Sequence, residues 1–244
     1  MMNILNDDQK QFFKEQGYLV IHNLLNEKQI AYYSKKYDAF LDNSINSKGF
    51  RSDLSGSVGQ PGEKITQIMV PSRLYPEFLV KPLHRKTLQI ARELLGDDMD
   101  LDFDMLINKA PQTSAETPWH QDAAYWIDMP DTRALSCWVA IDRAFLDNGC
   151  MWYTPKSHLG EILPHTQIGN KGALKCEGSE KDSVFVELDP GSCVLHHGRT
   201  LHYSRGNSTD LNRRAFITNF RPASMIAFER DRGYDHTGTR QAKT

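Results

Sequence analysis

No run of 18 consecutive apolar residues occurs anywhere in the 244-residue chain, so no helix is expected to cross a bilayer. Basic residues never cluster with aromatics, and 29 basic side chains against 31 acidic ones leave a formal charge of −2, which argues against a nucleic-acid partner. An acidic run that would hold calcium or a basic protein is also missing. The amino-terminal MMNILNDDQKQFF has no basic stretch leading into an apolar one. It does not read as a secretion signal, and the cytoplasm is the expected compartment. Cysteine is sparse. Cys137, Cys150, Cys176 and Cys193 show no CxxC spacing, and three of them lie in apolar runs, which suits buried reduced thiols better than disulfides. No internal repeat is visible.

What is present is the composition of an ordinary globular protein, 39% hydrophobic and 25% charged, in a chain long enough for one sizeable core and short for two. A single domain over 1–244 is expected, with a helical part to about residue 98, a strand-rich core to about 222 and a tail over 223–244. Asn6 can cap a helix through Gln16 that Gly17 closes. Tyr18 to Leu24 suits a short strand. Asn26 followed by Gln29 approximates a capping box, with Ile30, Tyr33, Tyr37 and Phe40 at helical spacing behind it. A third helix is expected from about Pro82 to Leu95, with proline at its start and Gly96 past its end. Residues 44–64 are rich in Ser, Gly and Lys without apolar period and read as a loop, either a connector or a lid that orders over substrate. From Leu101 onward short apolar runs are punctuated by Gly and Pro turns such as Asp189-Pro190-Gly191. Helices first and strands after predict an α+β chain, mainly β, built as a sandwich or barrel.

The chemistry concentrates in Pro118-Trp119-His120-Gln121-Asp122. On a strand, residues i and i+2 share a face, so His120 and Asp122 can converge on one point. With one more histidine they make a 2-His-1-carboxylate triad, which leaves three positions open on an octahedral iron. His196, His197 and His202 follow downstream. His202 is favoured because Arg213 and Arg214 open the next strand pattern, RRAFITNF, behind it. Adjacent strand residues face opposite ways, so only one of these two arginines can point inward, and an inward arginine needs an anion. A carboxylate suits the guanidinium fork.

Taken together, WHQDAAYW (119–126), DNGCMWYTPKSH (147–158) and HGRTLHYSRGNSTDLNRRAF (197–216) resemble the phytanoyl-CoA dioxygenase family of iron- and 2-oxoglutarate-dependent oxygenases, over roughly residues 5–222. The resemblance implies a double-stranded β-helix, or jelly roll, with flanking amino-terminal helices. It implies iron on His120, Asp122 and His202, and selects Arg213, eleven residues after His202, for the far carboxylate of 2-oxoglutarate. Ser204 and Asn108 are implied as further 2-oxoglutarate contacts. The implied reaction consumes O2 and 2-oxoglutarate, releases succinate and CO2, and oxidises a C–H bond of a small-molecule substrate. With Asp122 intact, hydroxylation is expected rather than halogenation. Trp126, Gln121, Phe50 and Arg51 are candidate substrate contacts. The alternatives are a metal-dependent hydrolase, which would have no need of an inward Arg213, and a non-catalytic jelly-roll binding protein, which would be expected to have lost a ligand or the arginine.

Overall fold

The computed structural model describes residues 3–55, 62–168 and 173–237. The amino-terminal helices form where the caps predict. In α1 (Asp7–Gln16) the Asn6 side chain accepts from the Gln9 amide and the Gln9 side chain reaches back to Asn6; Gly17, at φ 79°, ends the helix. Asn26 and Gln29 make the same reciprocal pair at the start of α2 (Glu27–Leu41). Between them runs β1 (Tyr18–Ile21). Next come β2 (Arg51–Asp53), β3 (Ile65–Met69), the single turn α3 (Pro71–Leu74) and α4 (Pro82–Leu95).

The strands that follow are β4 (Met99–Lys109), β5 (Thr117–His120), β6 (Leu135–Ala140), β7 (Met151–Tyr153), β8 (Thr166–Ile168), β9 (Ala173–Lys175), β10 (Val184–Val186), β11 (Cys193–His197), β12 (His202–Ser204) and β13 (Arg213–Pro222). A seven-stranded sheet has the order β1-β11-β6-β13-β4-β3-β2, and a four-stranded sheet has the order β10-β7-β12-β5. Every pairing is antiparallel, and β8 and β9 form a separate hairpin. The arrangement is a jelly roll.

Period-two alternation divides the large sheet into two faces. Trp138, Ala140, Val194, Ala215 and Ile217 point inward to meet Met151 and Tyr153 of the small sheet. Their neighbours Cys137, Val139, Leu195, Phe216 and Phe220 point outward, where Tyr33, Tyr37, Phe40, Leu83 and Ile90 of the helices cover them. The parity of β13 therefore decides the two arginines. Arg213 shares the inward face with Ala215, whereas Arg214 pairs outward with Asp142 and with Asp38 of α2.

Two regions differ from the sequence expectation. Besides the expected strand β1, the part read as helical to residue 98 supplies β2 and β3. All five residues of β3 are buried, so it shows no alternation to read. The described part of the tail, to residue 237, is also structured. Its helix α5 (Ala223–Arg230) folds back on β4 and β13. Arg221 and Arg230 both pair with Asp102 and Glu229, and His236 closes the group 2.8 Å from Glu229. Asp102, Arg221 and Glu229 are buried here, where opposite charges neutralise one another.

This group makes two predictions. Arg221→Leu removes the fully buried cation of the group, leaves Asp102 and Glu229 to Arg230 and His236, and should cost about 3–5 kcal/mol in urea unfolding at neutral pH; a loss under about 1 kcal/mol would contradict the account. Burial pushes the Asp102 carboxyl up, but His236, Arg221 and Arg230 more than offset this and bring it down to about 2. A depressed carboxylate contributes stability above its unfolded value of about 3.9 and loses it as pH falls toward its folded value. Asp102→Asn should therefore flatten the pH dependence of stability between about pH 4 and pH 2 relative to the unmodified chain.

Candidate metal centre and active site

His120 ends β5 and faces His202, the first residue of β12, directly across the ladder. Asp122 lies outside the strand, at the start of a 3-10 turn, but Gln121 keeps extended backbone (φ −118°, ψ 129°), so the alternation carries through to it. The ligand atoms of His120, Asp122 and His202 all lie within 4.8 Å of one another.

Hydrogen positions follow from the partners. His120 Nδ1 lies 2.7 Å from the Pro118 carbonyl, and His202 Nδ1 lies 2.8 Å from that of Thr200. A carbonyl only accepts, so both Nδ1 atoms carry the proton and both Nε2 atoms present lone pairs. Those atoms stand 3.6 and 3.7 Å from Asp122 Oδ1. The other carboxylate oxygen, Oδ2, is held by Ser136 Oγ at 2.6 Å and His196 Nε2 at 3.2 Å. His196 in turn accepts from the Tyr153 hydroxyl at 3.3 Å. Burial alone would raise the Asp122 carboxyl, but the imidazoles of His120, His196 and His202 around it hold it well below the usual range. Burial and the neighbouring imidazoles push His202 well below its ordinary value, which keeps it neutral and free to ligate.

A cavity of about 590 Å³ opens over these residues. Arg213 lines it, 1% exposed, stacked 5.1 Å from the Trp138 ring centre. Among the described residues its Nε and Nη1 have no hydrogen-bond partner, and neither has the hydroxyl of Ser204, which also lines the cavity. Burial lowers the Arg213 pKa to about 10, which leaves it a cation at neutral pH. Lys109 faces the same way on the neighbouring strand, but its ammonium is spent on the carbonyls of Ala115, Ser204 and Arg205.

Several expected contacts fall elsewhere. Asn108 pairs in register with the outward Arg214, so it lies on the sheet face away from the cavity and bonds Asn212. Its inward amide counterpart is Gln67 of β3, which sequence reading missed. Trp126 is a packing residue: its ring lies against Gly198, where an added Cβ would come within 2.5 Å, and beneath the Arg221 guanidinium. Gln121 is buried and spent on backbone, accepting from Leu163 N at 2.8 Å and donating to Arg199 O at 2.7 Å. Phe50 and Arg51 do line the cavity. Arg51, however, is pinned by Glu63 and by the carbonyls of Phe40 and Leu41, so its strand is anchored. The centre of the expected lid, residues 56–61, lies outside the described residues. Sequence reading also missed Ser136 and Asn219, while His196, one of the three candidate histidines, holds the far oxygen of Asp122. Counting in twos from Arg213 reaches Asn219, and from Trp138 reaches Ser136.

The phytanoyl-CoA dioxygenase (PhyH) family matches residues 13–215 of the chain. Peroxisomal phytanoyl-CoA dioxygenase of Bos taurus is 24% identical over 236 residues, covering 91% of this chain and 70% of that protein. Phytanoyl-CoA dioxygenase domain-containing protein 1 of Bos taurus is 33% identical over 157 residues, 61% of this chain and 54% of that protein. Among solved structures, EvdO2 from Micromonospora carbonacea var. aurantiaca complexed with 2-oxoglutarate superposes with a TM-score of 0.75 at 27% identity, covering 91% of this chain and 93% of that one. EctD from S. alaskensis with 2-oxoglutarate and 5-hydroxyectoine shares the fold, with a TM-score of 0.72 at 21% identity over 91% of this chain and 78% of that one.

The placement of Gln121 generates a test. Gln121→Ala removes the acceptor for the Leu163 amide, worth about 1 kcal/mol net. Hydrogen exchange at Leu163 should then quicken by roughly fivefold; an unchanged rate would mean that Gln121 does not hold this loop.

Proposed function

The chain belongs to the phytanoyl-CoA dioxygenase family and is an Fe(II)- and 2-oxoglutarate-dependent dioxygenase, and from that premise we propose that His120, Asp122 and His202 hold the iron, Arg213 holds 2-oxoglutarate, and a C–H bond of a small molecule is hydroxylated. The observation that carries the site assignment is the set of lone pairs facing one point. Two imidazole nitrogens and a carboxylate oxygen converge with no proton among them, an arrangement a divalent cation satisfies. Bound iron supplies the oxidation, in which 2-oxoglutarate and O2 give succinate, CO2 and a hydroxylated product.

The chain's own residues bind, orient and exclude water. Pro118 O and Thr200 O fix the two imidazoles, and Ser136 and His196 leave Oδ1 of Asp122 to the metal. Arg213 offers two free nitrogens and Ser204 a free hydroxyl to a carboxylate, at the end of the cavity that Trp138 and Met151 help to wall. Asp122 fills the third ligand position, which favours hydroxylation over transfer of a halide. The rest of the cavity, bounded by Phe50, Leu54, Met69, Tyr125 and Leu174, suits a small substrate with an apolar body. Walls from β2, β3, the core strands and the tail residues His236 and Thr237 enclose it together, which supports one catalytic domain over the whole chain. The four free cysteines suit a reducing compartment such as the cytoplasm. A metal-dependent hydrolase with the same ligands would leave the buried Arg213 cation without an anion.

Succinate release over a small-molecule library, with Fe(II), 2-oxoglutarate and O2, is expected to identify substrates. Asp122→Ala should abolish that release, and near-normal turnover would contradict the ligand assignment. Arg213→Ala should weaken 2-oxoglutarate by about 2–5 kcal/mol, at least roughly 30-fold in Kd. Arg214→Ala should leave that Kd within about threefold while lowering stability, because it breaks the outward pairs with Asp142 and Asp38. Loss of 2-oxoglutarate binding in the Arg214 variant alone would reverse the parity assigned to β13.

A further inference from the structure

Asn219 stands opposite Ser136 across the β13–β6 ladder, and both line the cavity while being almost wholly buried. Ser136 Oγ has two polar neighbours at the same short distance. Asp122 Oδ2 lies 2.6 Å away, and the amide atom of Asn219 assigned as oxygen also lies 2.6 Å away. The second amide atom of Asn219 has no hydrogen-bond partner among the described residues.

Counting hydrogens settles the direction of this chain. A serine hydroxyl has one hydrogen to give, and a carboxylate at neutral pH only accepts. If Ser136 gave its hydrogen to Asn219, it would face Asp122 with lone pairs against lone pairs at 2.6 Å. If it gives the hydrogen to Asp122, the Asn219 atom beside it must be the nitrogen, since an oxygen there would meet the same repulsion. Amide oxygen and nitrogen are distinguished by such partners rather than by shape. The chain then runs in one sense, Asn219 Nδ2–H to Ser136 Oγ–H to Asp122 Oδ2. His196 Nε2–H supplies the other donor to the same oxygen, with Tyr153 O–H behind it. The unpartnered atom of Asn219 is its carbonyl oxygen.

A desolvated amide oxygen without a donor is costly, so its partner is expected to come from what fills the cavity. Three other polar groups that line the cavity are already engaged. Arg51 is held by Glu63, His236 by Glu229, and the Tyr125 hydroxyl by the Leu174 amide. We propose that Asn219 is a specificity-determining residue whose carbonyl oxygen recognises a hydroxyl or N–H donor on the substrate, two hydrogen bonds from the metal-binding carboxylate. This rests on the functional reading above and narrows it: the substrate is an alcohol, amine or amide rather than a hydrocarbon chain without donors. Through Ser136 the same residue links the substrate's donor to the side chain that positions the metal.

The test uses the full chain loaded with Zn(II), a redox-inert stand-in for iron, and 2-oxoglutarate. Its probes are alicyclic alcohols, cyclohexanol among them, each paired with its methyl ether, and binding is followed by ligand-observed NMR. The unmodified chain should bind the alcohols roughly fivefold or more tighter than the ethers, as one net hydrogen bond allows. Asn219→Leu, which keeps the volume, should bring each pair within about twofold, and Asn219→Ala serves the same purpose if the leucine variant's unfolding midpoint shows that it does not fold. Equal binding of alcohol and ether by the unmodified chain, binding of neither, or a preference that survives in the variants would overturn the assignment. Zn(II) and 2-oxoglutarate titrations of the same samples report the functional reading separately. If these ligands bind and the preference is absent, only the role of Asn219 falls; if they fail to bind, the functional reading falls and this proposal with it.

Discussion

Three hydrogen-bond acceptors facing one another with no hydrogen between them are the constraint on which the rest of this structure turns. Backbone carbonyls claim the Nδ1 protons of His120 and His202, so both Nε2 atoms are committed as lone pairs toward Asp122 Oδ1. Buried acceptors left in this state are unfavourable, and a cation among them removes the cost. Across the same cavity the opposite debt exists, a buried guanidinium at Arg213 with two free nitrogens. A ligand that chelates a metal at one end and carries a carboxylate at the other satisfies both at once. 2-Oxoglutarate has that form, and the family membership and the functional proposal meet on this point.

The jelly roll supplies the convergence by register. His120 and His202 are opposed because β5 and β12 are neighbours in the small sheet, while Arg213 comes from the large sheet facing it. Parity along β13 sends Arg213 inward and commits Arg214 to α2, so one dipeptide both equips the cavity and fastens the helical layer to the sheet. Ser136 and His196, neighbours across β6 and β11, hold the far oxygen of Asp122 and so fix which oxygen is left to a metal. None of these positions depends on a long flexible side chain finding its partner in solvent.

Local rules were legible in the sequence wherever the responsible residues are neighbours. Asn6 with Gln9 and Asn26 with Gln29 announce two helix starts, and alternation forces a choice between Arg213 and Arg214. The triad was legible through the H-x-D spacing and the resemblance together. What failed depends on contacts distant in the chain. The parity of Asn108 is set by its pairing with Arg214, which no count from His120 reveals. Gln121 looked available because its acceptors and donors, at Leu163 and Arg199, are about 40 and 80 residues away. The all-buried β3 carries no period, and the tail's charges look solvated until Arg221, Asp102 and Glu229 are seen to enclose one another.

The central claim is that one cavity holds a metal on three side chains and an anion on a fourth. It is tested most directly by anomalous diffraction from crystals of the full chain grown anaerobically with Fe(II) and 2-oxoglutarate. The account predicts one iron peak at about 2.0–2.2 Å from His120 Nε2, Asp122 Oδ1 and His202 Nε2. It also predicts 2-oxoglutarate chelated to that ion, with its far carboxylate forked on Arg213. Iron bound through His196 in place of one of these ligands, or 2-oxoglutarate seated on a cation other than Arg213, would contradict it.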